Sequence, residues 1–167
     1  FCVSGILFNH ESPLRGEEFV TRKITMNLCK IKLKKIDFFE LGNIYSKRDW
    51  GYAGDYVEAM WKMMQLKTAE DLVISTGKTY SIKKFVDMTT KELKINCFWK
   101  GQGLNEVLVN KDTNKVIIKI NKKFYRPAEV DILIGDSSKA KKILNWKPLV
   151  GIKELIKKMV QDRKSVV

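Results

Sequence analysis

The chain has 167 residues, 44% hydrophobic and 31% charged, with 32 basic against 19 acidic side chains for a net charge of +13. That balance belongs to a folded globular protein and excludes a disordered one, and no apolar run approaches the roughly 20 residues needed to span a bilayer. Only five of the basic residues are arginine and the lysines are spread over nearly every segment, whereas base readout favours Arg and basic arms cluster their charge. No nucleic acid and no membrane are therefore expected as partners. Cys2, Cys29 and Cys97 are odd in number and lack metal-ligand spacing, which argues against a disulfide framework and a zinc site. They read as small buried apolar residues in a reducing, cytoplasmic setting.

Residues 2–8 read as a buried strand, followed by a polar loop, Asn9-His10-Glu11-Ser12-Pro13-Leu14-Arg15-Gly16. The chain opens without an initiator Met inside that apolar run, which predicts the C-terminal portion of a longer protein. Phe19 to Lys32 has helical spacing, and Ile36 to Leu41 reads as a short strand. Lys47-Arg48-Asp49-Trp50-Gly51 reads as a compact polar turn before a helix from about Tyr52 to Gln65, with Val57, Met60, Trp61 and Met64 as its buried stripe. Asp71 to Thr76 is a strand, and Ser81 caps a helix to about Leu93 with Ile82, Phe85, Val86 and Met88 inward. Asn96 to Trp99 and Val116 to Ile120 are strands on either side of an irregular polar stretch, 101–114. Asp136 caps a helix to Leu144, and Gly151 to Gln161 is a last amphipathic helix with Ile152, Leu155, Ile156 and Met159 on one face.

Three basic stations stand out, the first loop and the Arg48 and Arg126 motifs, with Arg22 and Lys23 beside the first. Asn9, His10 and Arg15 share the first loop, where an amide, an imidazole and a guanidinium can meet carbonyl, ribose or phosphate; an ordinary loop with a half-exposed His is the bland alternative. Arg22 and Lys23 lie on the first turns of the following helix, where cations oppose the helix dipole and an anion would relieve them. Arg48 with Asp49, and Arg126 with Glu129, each set an Arg beside a carboxylate. Each is either an internal salt bridge or a clamp on a diphosphate whose acid accepts from sugar hydroxyls. Neither GxGxxG nor GxxxxGK[ST] occurs, and no Tyr-x-x-x-Lys pair stands on a helix after a Ser/Thr strand. No catalytic residue and no metal ligand is assigned.

The runs GILFNHESPLRGEEFVTRKI (5–24), KRDWGYAGDYVEAMW (47–61) and FYRPAEVDILIGD (124–136) closely resemble the C-terminal half of the GDP-mannose 4,6-dehydratases, a family of the extended short-chain dehydrogenase/reductase group. The resemblance is collinear over essentially the whole chain. It implies an α/β fold made of the last strands of a Rossmann-type doubly wound domain interleaved with the smaller mixed α/β sugar-nucleotide-binding domain. It also implies conversion of GDP-mannose to GDP-4-dehydro-6-deoxy-D-mannose and water, with NADP as cofactor, a lyase reaction on the way to GDP-fucose or GDP-rhamnose. By motif, His10 and Arg15 match NADP contacts. Asn9, Val20, Lys23, Arg48, Arg126 and Glu129 match GDP-mannose contacts. The family's glycine-rich loop and its Thr, Glu and Tyr-x-x-x-Lys residues precede the matched segment, so the chain alone is expected to be inactive, and the full-length protein a dimer or tetramer. Leu14-Arg15 stands where the family has two arginines, and Lys100 where it has Glu. A split gene product that only binds sugar nucleotide, and a basic nucleic-acid binder, are the competing readings.

Overall fold

The computed structural model describes residues 1–125 and 130–166. Gly5–Leu7 (β1) and Asn9–Glu11 (β2) follow one another but enter different sheets. β1 pairs in parallel with Leu72–Ile74 (β5), Ile6 opposite Val73. β2 pairs in parallel with Lys47–Tyr52 (β4), His10 opposite Gly51. The expected loop therefore begins later than its composition suggests: Asn9, His10 and Glu11 form a ladder with β4, and the loop proper starts at Ser12.

The expected turn over 47–51 is also strand. β4 is shared by β2, by antiparallel Thr79–Ser81 (β6) and by parallel Ile132–Leu133 (β10). Its polar composition is misleading because Asp49 is fully buried as a strut. The carboxylate accepts from Thr76 N at 3.0 Å, Gly77 N at 2.8 Å and Gly135 N at 3.4 Å, and from the Thr76 hydroxyl. Charge-assisted bonds of this kind offset the desolvation of a buried carboxylate. Asp49 is thus spent inside the fold and not on a sugar hydroxyl.

A third sheet has four strands in the order Phe39–Leu41 (β3), Val116–Ile120 (β9), Val107–Asn110 (β8) and Cys97–Lys100 (β7). β8 lies within the stretch expected to be irregular. Its Val-Leu-Val run buries Leu108 and Val109 and forms antiparallel ladders with both neighbours. Val20–Lys32 (α1), Ile82–Glu92 (α3) and Ile152–Val166 (α5) pack together over this region. Their apolar faces share one core with Phe39, Leu41, Trp50 and Ile118. α3 starts as expected, with Ser81 Oγ accepting from Lys84 N at 3.1 Å.

A second core joins Ala53–Met63 (α2), β5 and Ser138–Leu144 (α4) through Tyr56, Ala59, Met63, Leu72, Ile74 and Trp146. Here the expected stripe is on the wrong side of the helix. Val57, Met60, Trp61 and Met64 are exposed, and Tyr56, Ala59 and Met63 face inward. Both stripes are apolar at helical spacing, so periodicity cannot choose between them; the position of β5 and Trp146 does. α4 begins at Ser138, and Asp136 Oδ1 accepts from Ser138 N at 2.9 Å from just outside the helix. Cys29 is buried as expected, but Cys2 is exposed and Cys97 half-buried.

Candidate functional site

Period-two alternation along β2 sends neighbouring side chains to opposite faces of the strand. Asn9 and Glu11 line a cleft of about 440 Å³, with Val20 and Lys23 from α1 and Arg48 and Trp50 from β4. Phe124 and Tyr125, which lead into the Arg126 motif, close another side. His10, between Asn9 and Glu11, does not line this cleft; its ring stacks on Tyr56 of α2. Four of the sequence-derived residues, Asn9, Val20, Lys23 and Arg48, thus meet in one cleft, while His10 and Arg15 lie off it. Arg126 and Glu129 lie outside the described residues.

Lys23 Nζ stands 4.0 Å from the centroid of the Phe124 ring. Burial pushes its pKa below the usual lysine range, and Glu40 opposes that push. The cation is therefore partly desolvated and attracts an anion more strongly than a surface lysine would. Arg48 Nη1 donates to Lys47 O at 2.8 Å and to Val130 O at 2.7 Å, which ties β4 to the stretch before β10. Arg22, its neighbour expected to act with Lys23, donates to Pro13 O and so anchors the loop that carries Arg15.

Arg15 is held by residues that composition did not single out. Its guanidinium lies 3.5 Å from the Phe19 ring centroid, and its Nε is 3.3 Å from Glu11 Oε2. Glu11 also accepts from the Thr21 hydroxyl at 2.6 Å. Desolvation raises the Glu11 pKa, against the lowering effects of Thr21, Arg15 and His10. The i, i+4 spacing of Glu11 and Arg15 was visible in the sequence, but it is a helical signal and these residues span a strand end and a loop.

A further cluster flanks the cleft. Lys83 Nζ is 2.5 Å from Glu106 Oε1, Tyr45 donates to the same carboxylate, and the ammonium lies 5.1 Å from the Trp99 ring centroid. It fixes the segment that runs through Asn43, a cleft residue, against α3 and β7. Among the described residues, no group of three or more His, Cys, Asp or Glu side chains could hold a metal ion, and no helix is long and apolar enough to cross a membrane.

Residues 1–159 match the family model described as GDP-mannose 4,6 dehydratase. The chain is 52% identical over 161 residues to a GDP-mannose 4,6 dehydratase of Drosophila melanogaster, covering 96% of this chain and 41% of that protein. It is 51% identical over 160 residues to the Homo sapiens protein of the same name, covering 96% and 43%. Among solved structures, RMD from Pseudomonas aeruginosa complexed with NADPH aligns with a TM-score of 0.75 at 16% identity, covering 96% of this chain and 47% of that one. That likeness shows the fold alone: a mixed α/β architecture with parallel sheets of the Rossmann-type epimerase/dehydratase enzymes. The chain spans less than half the length of the curated relatives it matches. On the strength of the family match and these identities, the chain belongs to the GDP-mannose 4,6-dehydratase family.

Proposed function

We propose that this chain forms the sugar-nucleotide-binding half of a GDP-mannose 4,6-dehydratase, a hydro-lyase that converts GDP-mannose to GDP-4-dehydro-6-deoxy-D-mannose and water. The single observation that carries the reading is the cleft in which Asn9, Val20, Lys23 and Arg48 meet. It offers an amide, a partly desolvated ammonium and a guanidinium, the donor set that a nucleoside diphosphate linked to a sugar requires. Arg126 and Glu129 complete the set by motif.

NADP is the cofactor of this reading, and the residues suit it. His10 and Arg15 stand off the substrate cleft, and Arg15 is pre-oriented by Glu11 and Phe19 to meet a phosphate. When bound, NADP supplies the redox chemistry at the sugar ring. This chain's residues bind and orient: Lys23 and Arg48 hold the diphosphate, Asn9 presents its amide to the substrate, and Trp50 and Phe124 keep water from the apolar wall of the cleft. The groups that move hydride and protons belong to the preceding half, which also supplies the glycine-rich loop.

The exposed side of β1 supports a place for that half: among the described residues β1 pairs with β5, and Ile6 is 57% exposed on this parallel sheet. Parallel sheets are normally buried on both faces and continued by further strands. The full-length protein is a dimer or tetramer and works in the cytoplasm.

The test is calorimetric titration of the 167-residue chain with GDP-mannose, paired with a turnover assay that includes NADP. Binding that competes with GDP and weakens roughly 10- to 150-fold in Lys23→Met supports the reading. No binding, or appearance of the 4-keto-6-deoxy product from the chain alone, overturns it.

A further inference from the structure

The ring of His10 is held from two sides. Its Nδ1 lies 2.9 Å from the carbonyl oxygen of Phe8. A carbonyl only accepts, so Nδ1 carries the proton, and in the neutral ring Nε2 is left as an acceptor. Tyr56 lies against the imidazole with centroids 5.1 Å apart and planes 27° from parallel. Tyr56 is fully buried and is itself met edge-on by Trp146, centroids 6.2 Å apart. Trp146 is in turn fixed by its indole N–H, which donates to Asp55 O at 2.9 Å.

Space for the Tyr56 ring comes from Gly51, the residue opposite His10 in the β2–β4 register. A Cβ at Gly51 would stand 2.4 Å from Tyr56 Cε2. The Tyr56 hydroxyl has no hydrogen-bond partner among the described residues. The ring is therefore the part of Tyr56 that does the holding.

We propose that Tyr56, seated over Gly51, is the positioning residue of His10. With the Phe8 carbonyl it sets the plane and the tautomer of the imidazole, so that Nε2 meets the cofactor as an acceptor. The matching ligand group is a hydroxyl or an amide N–H, such as a ribose hydroxyl or a carboxamide, and not a phosphate oxygen. The choice of ligand rests on the reading of His10 as a cofactor contact. The arrangement inside the chain does not.

His10 is the only histidine of the chain, so nitrogen-15 NMR of the imidazole reads one residue without assignment. At about pH 8.5, above the ordinary imidazole range, wild type is expected to show a protonated Nδ1, an unprotonated Nε2 and nuclear Overhauser contacts to the Tyr56 ring. Tyr56→Phe keeps the tautomer. Tyr56→Leu mixes the two tautomers and moves the His10 ring protons towards their solvent-exposed positions. Gly51→Ala displaces the Tyr56 ring without removing it and moves the same resonances, which serves if Tyr56→Leu does not fold. A wild-type ring protonated at Nε2, or a folded Tyr56→Leu or Gly51→Ala variant with His10 unchanged, overturns the proposal. Titration with NADP of the enzyme complemented by the unlabelled preceding half, with nitrogen-15 in this chain alone, separates the two claims: an Nε2 resonance unmoved at saturating NADP refutes the cofactor contact, while the tautomer and variant spectra decide the positioning on their own.

Discussion

Arg15 and Glu11 form an ion pair, Nε to Oε2 3.3 Å, in which the carboxylate is 2% exposed. Taking that carboxylate out of water raises its pKa, because desolvation outweighs the hydrogen bond from Thr21 and the charge of Arg15. The folded chain thus holds a proton on Glu11 more readily than the unfolded chain does. Stability from this group is present below the ordinary Glu range, about 4.3, and is lost as pH rises through the raised folded value.

Glu11→Gln removes that titration. Across about pH 4 to 8 in urea melts, the variant is expected to gain on the wild type as pH rises. It loses the charge that orients Arg15, so cofactor affinity of the complemented enzyme falls even where stability improves. A stability difference that does not change over this range would contradict the desolvated carboxylate.

Lys23 is the cation on which the cleft depends. Its lowered pKa means that the charge is lost at a lower pH than for a surface lysine. Affinity for GDP is therefore expected to fall as pH approaches the ordinary lysine range from below. In Lys23→Met that pH dependence disappears and affinity drops by about 1.5–3 kcal/mol, the worth of a hydrogen bond to a charged group. Calorimetry at two pH values measures both effects.

Met63 and Met64 are adjacent, but Met63 is 2% exposed and Met64 56%. Met63→Ala opens a cavity in the second core and is expected to cost about 2–5 kcal/mol. Met64→Ala changes stability by less than about 0.5 kcal/mol. Chemical denaturation of the pair reports which face of α2 is inside, and equal costs would reverse the orientation described above.

Lys83 and Glu106 are paired at 2.5 Å, with Glu106 3% and Lys83 29% exposed. Lys83→Met strands a buried carboxylate and is expected to cost about 2 kcal/mol, less than a fully buried pair because water still reaches the lysine. The hydrogen bond from Lys83 to Glu106 raises the lysine pKa. The stabilisation is thus complete at neutral pH and lost as pH climbs through that raised value. A double-mutant cycle with Glu106→Gln isolates the coupling.

Much of this was legible in the residues themselves. α1, α3 and α5 announced themselves because one apolar stripe at helical spacing had one place to go, and Ser81 supplied a cap that needs only local geometry. Asn9 and Arg48 could be picked out because amide and guanidinium groups near Gly and Pro are the chemistry of anion capture, and Lys23 because a cation on the first turns of a helix opposes its dipole. The family resemblance then attached ligands to them.

Other features depended on partners far along the chain. Asn9–Glu11 and 47–51 were polar enough to pass for loops; only a neighbouring strand makes them strands, and that neighbour is invisible to local composition. α2 carried two apolar stripes, and the sheet it met chose between them. By itself the sequence determined the helices, the donor groups and the family, since these follow from residue type and short-range spacing. Tertiary structure alone decided that Asn9 and His10 face opposite sides of one strand, that Asp49 is a strut, and that Tyr56 lies over Gly51 to hold the imidazole. Those relationships join residues that only packing brings together.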